Sequence, residues 1–400
     1  MTGASARAKD HGQTAVLLIT RNFPPLVGGM ERLMHHIFDE LNVAHDVALV
    51  GPKGSEWQVT ARSNVLSVRL SPLWRFFPSA LMAAFRLAWR ARPRLIIAGS
   101  GVTAPIALIT ARLWRAPVAC YLHGLDLVAD SLIYQALFVR AIRMCDVLIV
   151  NSHKTAAIAM EKGIGRSKIR ILHPGVDIPR MPEYLDRRAL RVRLGLREDA
   201  KVLLSVGRLT RRKGVAEFLD NVFEQLVRTD TAIHFLIIGE EPAHALMQGG
   251  GVRRRIEELV AARGLGGHVT LLGAVSDDVL RDAYFSADLL VFPAREIPGD
   301  VEGFGMVAAE AAAHGLPTVA FALGGIPDAV EDGVSGYLVR PGDYTGFATA
   351  ILRYLEREDC NQWRARCVDF AQAFTWDKFG ERLRAICKDT IAAHRGSRRR

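Results

Sequence analysis

Cysteine and long hydrophobic runs are scarce in this sequence, which narrows the classes of protein it can belong to. Its 400 residues include five cysteines and no Cys-x-x-Cys pair, so we expect neither a disulfide framework nor a structural zinc site, and a reducing cytosol fits best. The uncharged run 95–111 is shorter than a bilayer span and is interrupted by Gly99 and Gly101. The apolar run 15–20 is too short for a secretion signal and is typical of a first core strand.

Positive charge is concentrated in the first half of the chain. Residues 1–180 carry 22 Lys+Arg against 11 Asp+Glu, a net charge of +11, whereas the remainder carries 30 against 31, a net charge of −1. Residues 57–125 contain nine arginines and no acidic residue, and the segment 73–94 interleaves arginines with Trp and Phe. Such a segment suits an anionic lipid surface. The alternative is a core helix whose arginines are merely solvated.

Short apolar and β-branched runs alternate with helical periodicity along the whole chain. We predict strands at 15–20, 46–51, 65–70, 95–100, 117–124, 146–152 and 169–175 in the first half, and at 201–209, 233–240, 268–275, 287–295, 316–322 and 335–342 in the second half. Continuous apolar strands that alternate with helices indicate parallel sheets covered on both faces. The sequence therefore predicts an α/β fold with two Rossmann-like domains.

The aperiodic, proline-containing stretch 177–187 marks the boundary between these halves. We expect a first domain at 1–178 and a second at 188–375. The segment 376–395 has the pattern of an amphipathic helix, and the closing arginines at 398–400 are typical of a disordered tail.

The segment VEGFGMVAAEAAAHGLP at 301–317 carries the strongest indication of chemistry. If one helix covered both Glu302 and Glu310, their side chains would point in directions about 80° apart around the helix axis and would lie roughly 12 Å apart along it. One carboxylate would then meet a sugar and the other a ribose. A diphosphate would approach the positive helix end through the turn formed by Gly303, Phe304, Gly305 and Met306.

A second loop, SVGRLTRRKG at 205–214, supplies Arg208 and Lys213 after a predicted strand. A departing nucleoside diphosphate concentrates negative charge, and two cations can neutralise it where a metal otherwise would. Since the sequence has no Asp-x-Asp pair for a divalent ion, we expect stabilisation of the leaving group without a metal.

Two loops of the first half add weaker indications. The loop 22–31 follows the first strand, and Gly28 and Gly29 would let backbone amides reach a phosphate. His123, in the HGLD sequence at the end of the fifth strand, can donate to or accept from a sugar hydroxyl beside the reacting carbon.

In this order the loops resemble glycosyltransferase family 4, from about Ala15 to the last helix. The most specific matches are the 301–317 segment and the VGRL and RKG sequences of the second loop; PPxxGG, HGLD and HPGVD agree with them. The resemblance implies a GT-B fold, in which an acceptor-binding first domain and a donor-binding second domain face each other across a cleft and the last helix returns to the first domain. It also implies retention of anomeric configuration without a metal or another cofactor.

On the family pattern, Gly29 and the pair Arg208 and Lys213 hold the diphosphate, and Glu310 the ribose hydroxyls. Glu302 binds the hydroxyls of the donor sugar, and His123 its outer edge. The segment 295–311 is similar to phosphatidylinositol mannosyltransferases and bacterial cell-surface polysaccharide enzymes, which favours GDP-mannose over UDP-hexoses. The resemblance therefore implies hexosyl transfer to a lipid-linked or polysaccharide acceptor in cell-envelope glycan synthesis. The basic first half predicts an enzyme bound peripherally to the inner face of the cell membrane.

No carboxylate is placed as an obvious nucleophile on the far face of the sugar, so we expect front-face substitution assisted by the leaving phosphate. Two alternatives stay open. GT-B folds also host sugar-nucleotide epimerases and phosphorylases, and a non-enzymatic basic binding protein would share the same composition. Basic charge alone predicts only non-specific association with nucleic acid, and without a recognised nucleic-acid module we expect no such partner.

Overall fold

The computed structural model describes residues 14–59, 64–128, 131, 134–180, 187–241 and 251–397. The chain divides into two units, the first formed by Met1–His173 and Trp376–Arg400 and the second by Pro174–Thr375. The expected linker 177–187 is described only in part, and the expected tail 398–400 lies outside the described residues. Each unit is built around one parallel sheet.

The first sheet has seven strands. They are β1 (Thr14–Ile19), β2 (His45–Pro52), β3 (Val65–Val68), β4 (Leu95–Ala98), β5 (Val118–Leu122), β6 (Val147–Val150) and β7 (Ile169–Ile171). All pair in parallel, in the order β3-β2-β1-β4-β5-β6-β7. The strand order reverses between β1 and β4, and in sheets of this kind ligands bind beyond the carboxyl ends of the strands at such a reversal.

The second sheet repeats this arrangement with six strands. They are β8 (Lys201–Val206), β9 (Ile233–Ile238), β10 (Val269–Gly273), β11 (Leu289–Phe292), β12 (Thr318–Phe321) and β13 (Gly336–Val339). The order is β10-β9-β8-β11-β12-β13, so the reversal lies between β8 and β11. The loops that follow these two strands are therefore the ones to inspect for chemistry.

Helices cover both sheets. The first unit contains α1 (Gly29–Asn42), α2 (Leu73–Ala91), α3 (Ala104–Trp114), α4 (Leu125–Val128), α5 (Arg140–Met144) and α6 (His153–Glu161). The second contains α7 (Arg187–Arg193), α8 (Val215–Phe218), α9 (Glu224–Thr229), α10 (Val252–Ala262), α11 (Asp277–Ser286), α12 (Met306–Ala313), α13 (Ile326–Ala329), α14 (Tyr344–Leu355) and α15 (Cys360–Ala371). The last helix, α16 (Trp376–Ser397), belongs to the first unit.

The last helix packs against α1 through a buried stripe. Trp376 stacks on His36 with ring centroids 3.6 Å apart, and Leu383 and Cys387 are buried in the core of the first unit. Arg384 forms an ion pair with Glu40 on α1. Side chains three or four residues apart lie on the same face of a helix, which explains how one stripe makes all of these contacts.

The predicted fold class is confirmed, and each predicted strand is present. Several predicted runs extend past the strand at its carboxyl end; the run 201–209, for example, continues beyond β8, which ends at Val206. The reason is that the loops after the strands also carry apolar side chains, such as the buried Leu209. Among the described residues, no helix is both long enough and apolar enough to cross a bilayer.

Candidate active site

The loop after β8 ends in a tight turn that is locked onto the loop after β11. The turn is the 3₁₀ segment Arg211–Lys213, and Gly214 closes it with φ 70°. A Cβ at this glycine would overlap the carbonyl oxygen of Pro293. The backbone N–H of Arg295 donates to the carbonyl of Arg212 over 2.7 Å. The two loops at the reversal of strand order are thus held together, and only glycine fits at position 214.

This contact brings two cations against two carboxylates in a largely buried ion cluster. Lys213 Nζ lies 2.9 Å from Glu302 Oε2, and Arg212 Nε lies 2.9 Å from Asp300 Oδ1. Arg212 also pairs with Glu302. Lys213 Nζ lies 4.4 Å from the ring centroid of Phe292, the last residue of β11. The charges of Lys213 and Glu302 are mostly shielded from water, since their side chains are 14% and 12% exposed.

The two cations and two carboxylates of the ion cluster balance, and the nearby Arg208 adds one further positive charge. Burial opposes ionisation of Glu302, but the nearby charges of Lys213 and Arg212 outweigh burial and lower its pKa to about 2. Burial also lowers the pKa of Lys213; Glu302 counteracts this effect, while Arg212 and Arg208 reinforce it. The carboxylate is therefore ionised at neutral pH, and the surplus of cations favours binding of an anion.

Glu302 lies in an irregular segment before the helix. The helical spacing expected between Glu302 and Glu310 is wrong, because α12 begins only at Met306. A glycine pair holds this segment in place: the N–H of Gly325 donates to the carbonyl of Glu302 over 2.8 Å, and Gly324 adopts φ 59°. The position of the Glu302 carboxylate is therefore set by close backbone contact.

Glu310 lies on α12, where it accepts a hydrogen bond from Tyr284 of α11. The Tyr284 hydroxyl is 3.1 Å from Glu310 Oε2, and the Tyr284 ring stacks on His314 with centroids 4.9 Å apart. The turn 303–306 leads into α12, with Gly305 as the N-cap residue at φ 91°. The start of a helix carries partial positive charge, which favours an anion at this point.

In the first unit, His123 is held by the loops that follow three neighbouring strands. Its Nε2 lies 2.9 Å from the carbonyl of Gly99. The side-chain amide of Asn151 donates to the backbone carbonyl of His123 over 3.3 Å. Asp126 accepts hydrogen bonds from the backbone N–H groups of His123 and Gly101, over 2.8 and 2.9 Å. Because a carbonyl only accepts, Nε2 carries a proton, and the tautomer with a single ring proton leaves Nδ1 as an acceptor.

The glycines at 28 and 29 lie at the start of α1, next to the reversal in the first sheet. Gly29 is the first residue of α1 and Gly28 its N-cap. In the first turn, Glu31 accepts from the Asn22 amide over 2.8 Å, and a Cβ on Gly28 would overlap the Glu31 carboxylate. The loop 22–28 is thereby folded back onto the helix start.

The structure brings only some of the predicted residues into contact, since Glu310, His123 and the Gly28–Gly29 pair are each held by other groups. In the second unit Lys213 contacts Glu302, while Arg208 is exposed and acts on Lys213 through its charge. Four supporting residues escaped sequence reasoning: Arg212, Asp300, Tyr284 and Asp126. Arg212 lies in the Arg-Arg-Lys run and Asp126 in the HGLD sequence, so both were within motifs already recognised. Nothing in the sequence connected Tyr284 to Glu310, 26 residues away.

Replacement of Gly214 by Ala should unfold the site loop, because the added Cβ meets the carbonyl of Pro293 in addition to the strain of a positive φ. Gly264 is a matched control, with φ 64° and no atom within 4 Å of its Cβ position. We expect Gly264→Ala to cost about 1–2 kcal/mol in the free energy of unfolding, and Gly214→Ala clearly more. Urea unfolding measures both, and equal losses would contradict the close approach.

Replacement of Glu302 by Gln should flatten the acid dependence of stability. The pKa of Glu302 falls from 4.5 to about 2 in the folded protein, so its contribution is present above pH 4.5 and is lost as the pH falls towards 2. Between pH 5 and pH 3 the wild type should lose about 2 kcal/mol more than Glu302→Gln. Unfolding curves at both pH values measure this difference, and parallel losses would show that the ion cluster does not form.

Two family models match the chain. The model described as Glycosyltransferase Family 4 matches residues 27–180, and the model described as Glycosyl transferases group 1 matches residues 186–373. Together they include every strand of the two sheets except β1, which precedes the first match.

Curated relatives match part of the chain. The D-inositol 3-phosphate glycosyltransferase of Geodermatophilus obscurus is 34% identical over 234 residues, 58% of this chain and 50% of the relative. That of Mycolicibacterium smegmatis is 35% identical over 232 residues, again 58% and 50%. The chain thus spans about half the length of these two relatives.

Solved structures share the fold over nearly the whole chain. Anabaena Alr3699/HepE in complex with UDP superimposes with a TM-score of 0.77 at 20% identity, covering 94% of this chain and 100% of that one. Sucrose-phosphate synthase from Thermosynechococcus elongatus gives a TM-score of 0.77 at 22% identity, with coverages of 95% and 100%. Because the two family models match residues 27–180 and 186–373, the chain belongs to glycosyltransferase family 4, and it has the GT-B fold.

Proposed function

We propose that this protein transfers a hexosyl group from a nucleotide-sugar donor to an acceptor, with retention of anomeric configuration. The observation that carries the proposal is the buried cluster of Arg212, Lys213 and Glu302 at the carboxyl end of β8. The start of α12 follows Glu302 by four residues. The additional positive charge of Arg208 and the nearby helix start suit a diphosphate, and a buried, ionised carboxylate suits the hydroxyls of a sugar.

The geometry of the cluster suggests how these groups divide their tasks. Both cations contact Oε2 of Glu302, which leaves Oε1 as the oxygen to accept from a hydroxyl of the donor sugar. Lys213 and Arg208 neutralise the leaving diphosphate, whose charge grows as its bond to the sugar breaks. Glu310, oriented by Tyr284, binds the ribose hydroxyls. In the first unit, His123 would accept from a sugar hydroxyl through Nδ1.

We propose front-face substitution as the reaction step. The bond between the anomeric carbon and the diphosphate oxygen breaks, and the acceptor oxygen bonds to the same face of that carbon. The proton of the acceptor hydroxyl passes to the departing phosphate oxygen. The task left to the protein is electrostatic, since Lys213 and Arg208 stabilise the charge that develops on that phosphate.

The donor is proposed to be a hexose carried on a nucleoside diphosphate, with GDP-mannose and a UDP-hexose as the two candidates. The similarity of the segment 295–311 to phosphatidylinositol mannosyltransferases supports GDP-mannose. The structural relative Alr3699/HepE was crystallised with UDP and with UDP-glucose, which supports the uridine nucleotide. A ligand that binds only the native state raises the melting temperature, so thermal shifts with GDP, UDP and ADP distinguish the bases.

A lipid-linked acceptor and a peripheral membrane position are supported by an exposed apolar face on two packed helices. We define the apolar face as Trp74, Met82 and Trp89 of α2 with Ile109 and Leu113 of α3, all between 50% and 78% exposed. The helices meet where Phe85 contacts Trp114, with ring centroids 5.7 Å apart. A core-helix interpretation of 73–94 accounts for the buried Phe76 and Leu87, but not for the exposed tryptophans.

The same two helices also carry exposed arginines, among them Arg75, Arg86, Arg90 and Arg112. Tryptophan and methionine side chains enter the interfacial zone of a bilayer, and arginines attract anionic headgroups. We therefore propose that the first unit docks peripherally on the anionic inner face of the cell membrane and meets an acceptor there, either lipid-linked or an inositol phosphate of the kind named for the curated relatives.

Lys213→Ala should lower kcat by roughly 30-fold to 1,000-fold, the equivalent of about 2–4 kcal/mol, since it removes one preorganised charge from the leaving group. Arg211→Ala is the matched control, because Arg211 is an exposed cation in the same turn. Transfer to an acceptor is measured with the donor chosen by thermal shift. Equal effects of the two variants would refute the role of Lys213, and an epimer or free sugar formed from donor alone would favour an epimerase.

Trp74→Ser combined with Met82→Ser should weaken binding to phosphatidylglycerol vesicles by about tenfold or more, because it removes two large apolar side chains from the apolar face. The control is Ser79→Ala, a small exposed residue on the same helix. Co-sedimentation at roughly physiological salt measures the affinity. Unchanged binding of the double variant would contradict membrane docking through α2.

A further inference from the structure

Two non-glycine residues among those described adopt a positive φ, and both are arginines at the end of a helix. Arg92 (φ 47°) caps α2 and Arg115 (φ 52°) caps α3. Glycine is the residue that helix ends favour in this conformation, because it has no Cβ. An arginine at each position is therefore less favourable for the fold than glycine, and local strain of this kind is characteristic of functional sites.

Both arginines line the same cavity. It has a volume of about 710 Å³ and lies where β4 and β5 begin, at the amino-terminal edge of the first sheet. We call it the arginine cavity. Its wall contains four arginines and two tryptophans: Arg92, Arg94, Arg115, Arg395, Trp89 and Trp114.

No carboxylate lines the arginine cavity, and within the described part of the chain these four arginines form no salt bridge with a carboxylate. The four arginines are exposed and carry like charges around one space, which an anion would neutralise. Guanidinium groups bind phosphate oxygens through paired N–H donors, which makes a phosphate ester the best match. The exposed indole of Trp89 borders the same space.

Helix dipoles do not account for this arrangement. A cation near the carboxyl end of a helix is favourable, but Arg90 and Arg112 already supply one in the last turn of α2 and α3. A further arginine in the left-handed conformation adds strain without being needed for this purpose. The cavity also lies at the sheet edge opposite to the loops that hold His123 and Gly29, so it is separate from the candidate active site of the first unit.

We propose that the arginine cavity binds the phosphate of an anionic phospholipid headgroup. Trp89 belongs both to the apolar face and to the cavity wall, so docking of the apolar face on a bilayer brings the cavity to headgroup depth. The source of the phosphate rests on the proposed membrane contact. The phosphate site itself does not depend on glycosyl transfer.

The test uses Arg92→Gly combined with Arg115→Gly, a variant that relieves backbone strain while removing two guanidinium groups. We expect its melting temperature to equal or exceed that of the wild type, while its affinity for phosphatidylglycerol vesicles falls by about tenfold or more. The control is Arg69→Gln combined with Arg140→Gln, which removes the same charge from two exposed positions of the same unit. The control should lose no more than about threefold by the electrostatic effect of charge alone.

A second experiment uses a soluble phosphate ester to distinguish a free phosphate from a lipid headgroup. Glycerol 1-phosphate is titrated by calorimetry into the wild type and into the glycine variant. Binding heat observed only with the wild type supports a phosphate site that a free ester also fills. Binding to vesicles but not to glycerol 1-phosphate, lost in the glycine variant, supports a site that needs the bilayer. The proposal is overturned if the glycine variant loses no more vesicle affinity than the control. This outcome is independent of the activity of Lys213→Ala and of the vesicle binding of the Trp74→Ser and Met82→Ser double variant.

Discussion

The buried ion cluster of the second unit is the constraint on which the candidate site depends. Taking charges out of water is costly, and a buried ion pair often contributes little net stability compared with apolar packing. Here Lys213 and Arg212 share one carboxylate oxygen of Glu302, and Arg208 adds a further positive charge nearby. With Arg208 included, three cations lie near the two carboxylates of Glu302 and Asp300, and an unneutralised positive charge is poor at stabilising a fold. The arrangement is well prepared for an incoming diphosphate.

Close backbone contacts make this cluster possible. The turn before Gly214 touches the loop after β11, and the Gly324–Gly325 pair lies against the carbonyls of Glu302 and Gly303. Three segments distant in sequence therefore meet without side chains between them. The backbone contacts therefore position the charged groups before a ligand binds, so that binding costs little side-chain rotamer entropy. This suits a site that must be organised before the reaction begins.

The strand pattern could be predicted from the sequence because strands covered on both faces are continuously apolar. The position of Lys213 and Glu302 in loops after strands followed from the same rule, since the carboxyl edge of a parallel sheet collects such loops. What could not be predicted was the direction of individual side chains. In the run 211–213, the 3₁₀ turn buries Arg212 and leaves Arg211 exposed, and the irregular segment 301–305 invalidated a helical spacing for Glu302. Tyr284 of α11 meets Glu310 of α12 only through a side-chain contact that the folded unit creates.

The first sheet shows how the two edges of one parallel sheet can serve different purposes. At its carboxyl edge, loops converge on His123 through backbone carbonyls and N–H groups, so polar groups are satisfied within the protein. At its amino edge, the helix ends present arginines that have no carboxylate partner among the lining residues. A side chain in the left-handed conformation is unfavourable in the absence of a ligand. Binding an anion would offset that cost, because an arginine at these positions brings a guanidinium to the cavity wall. Glycine, although better for the fold, has no group to offer.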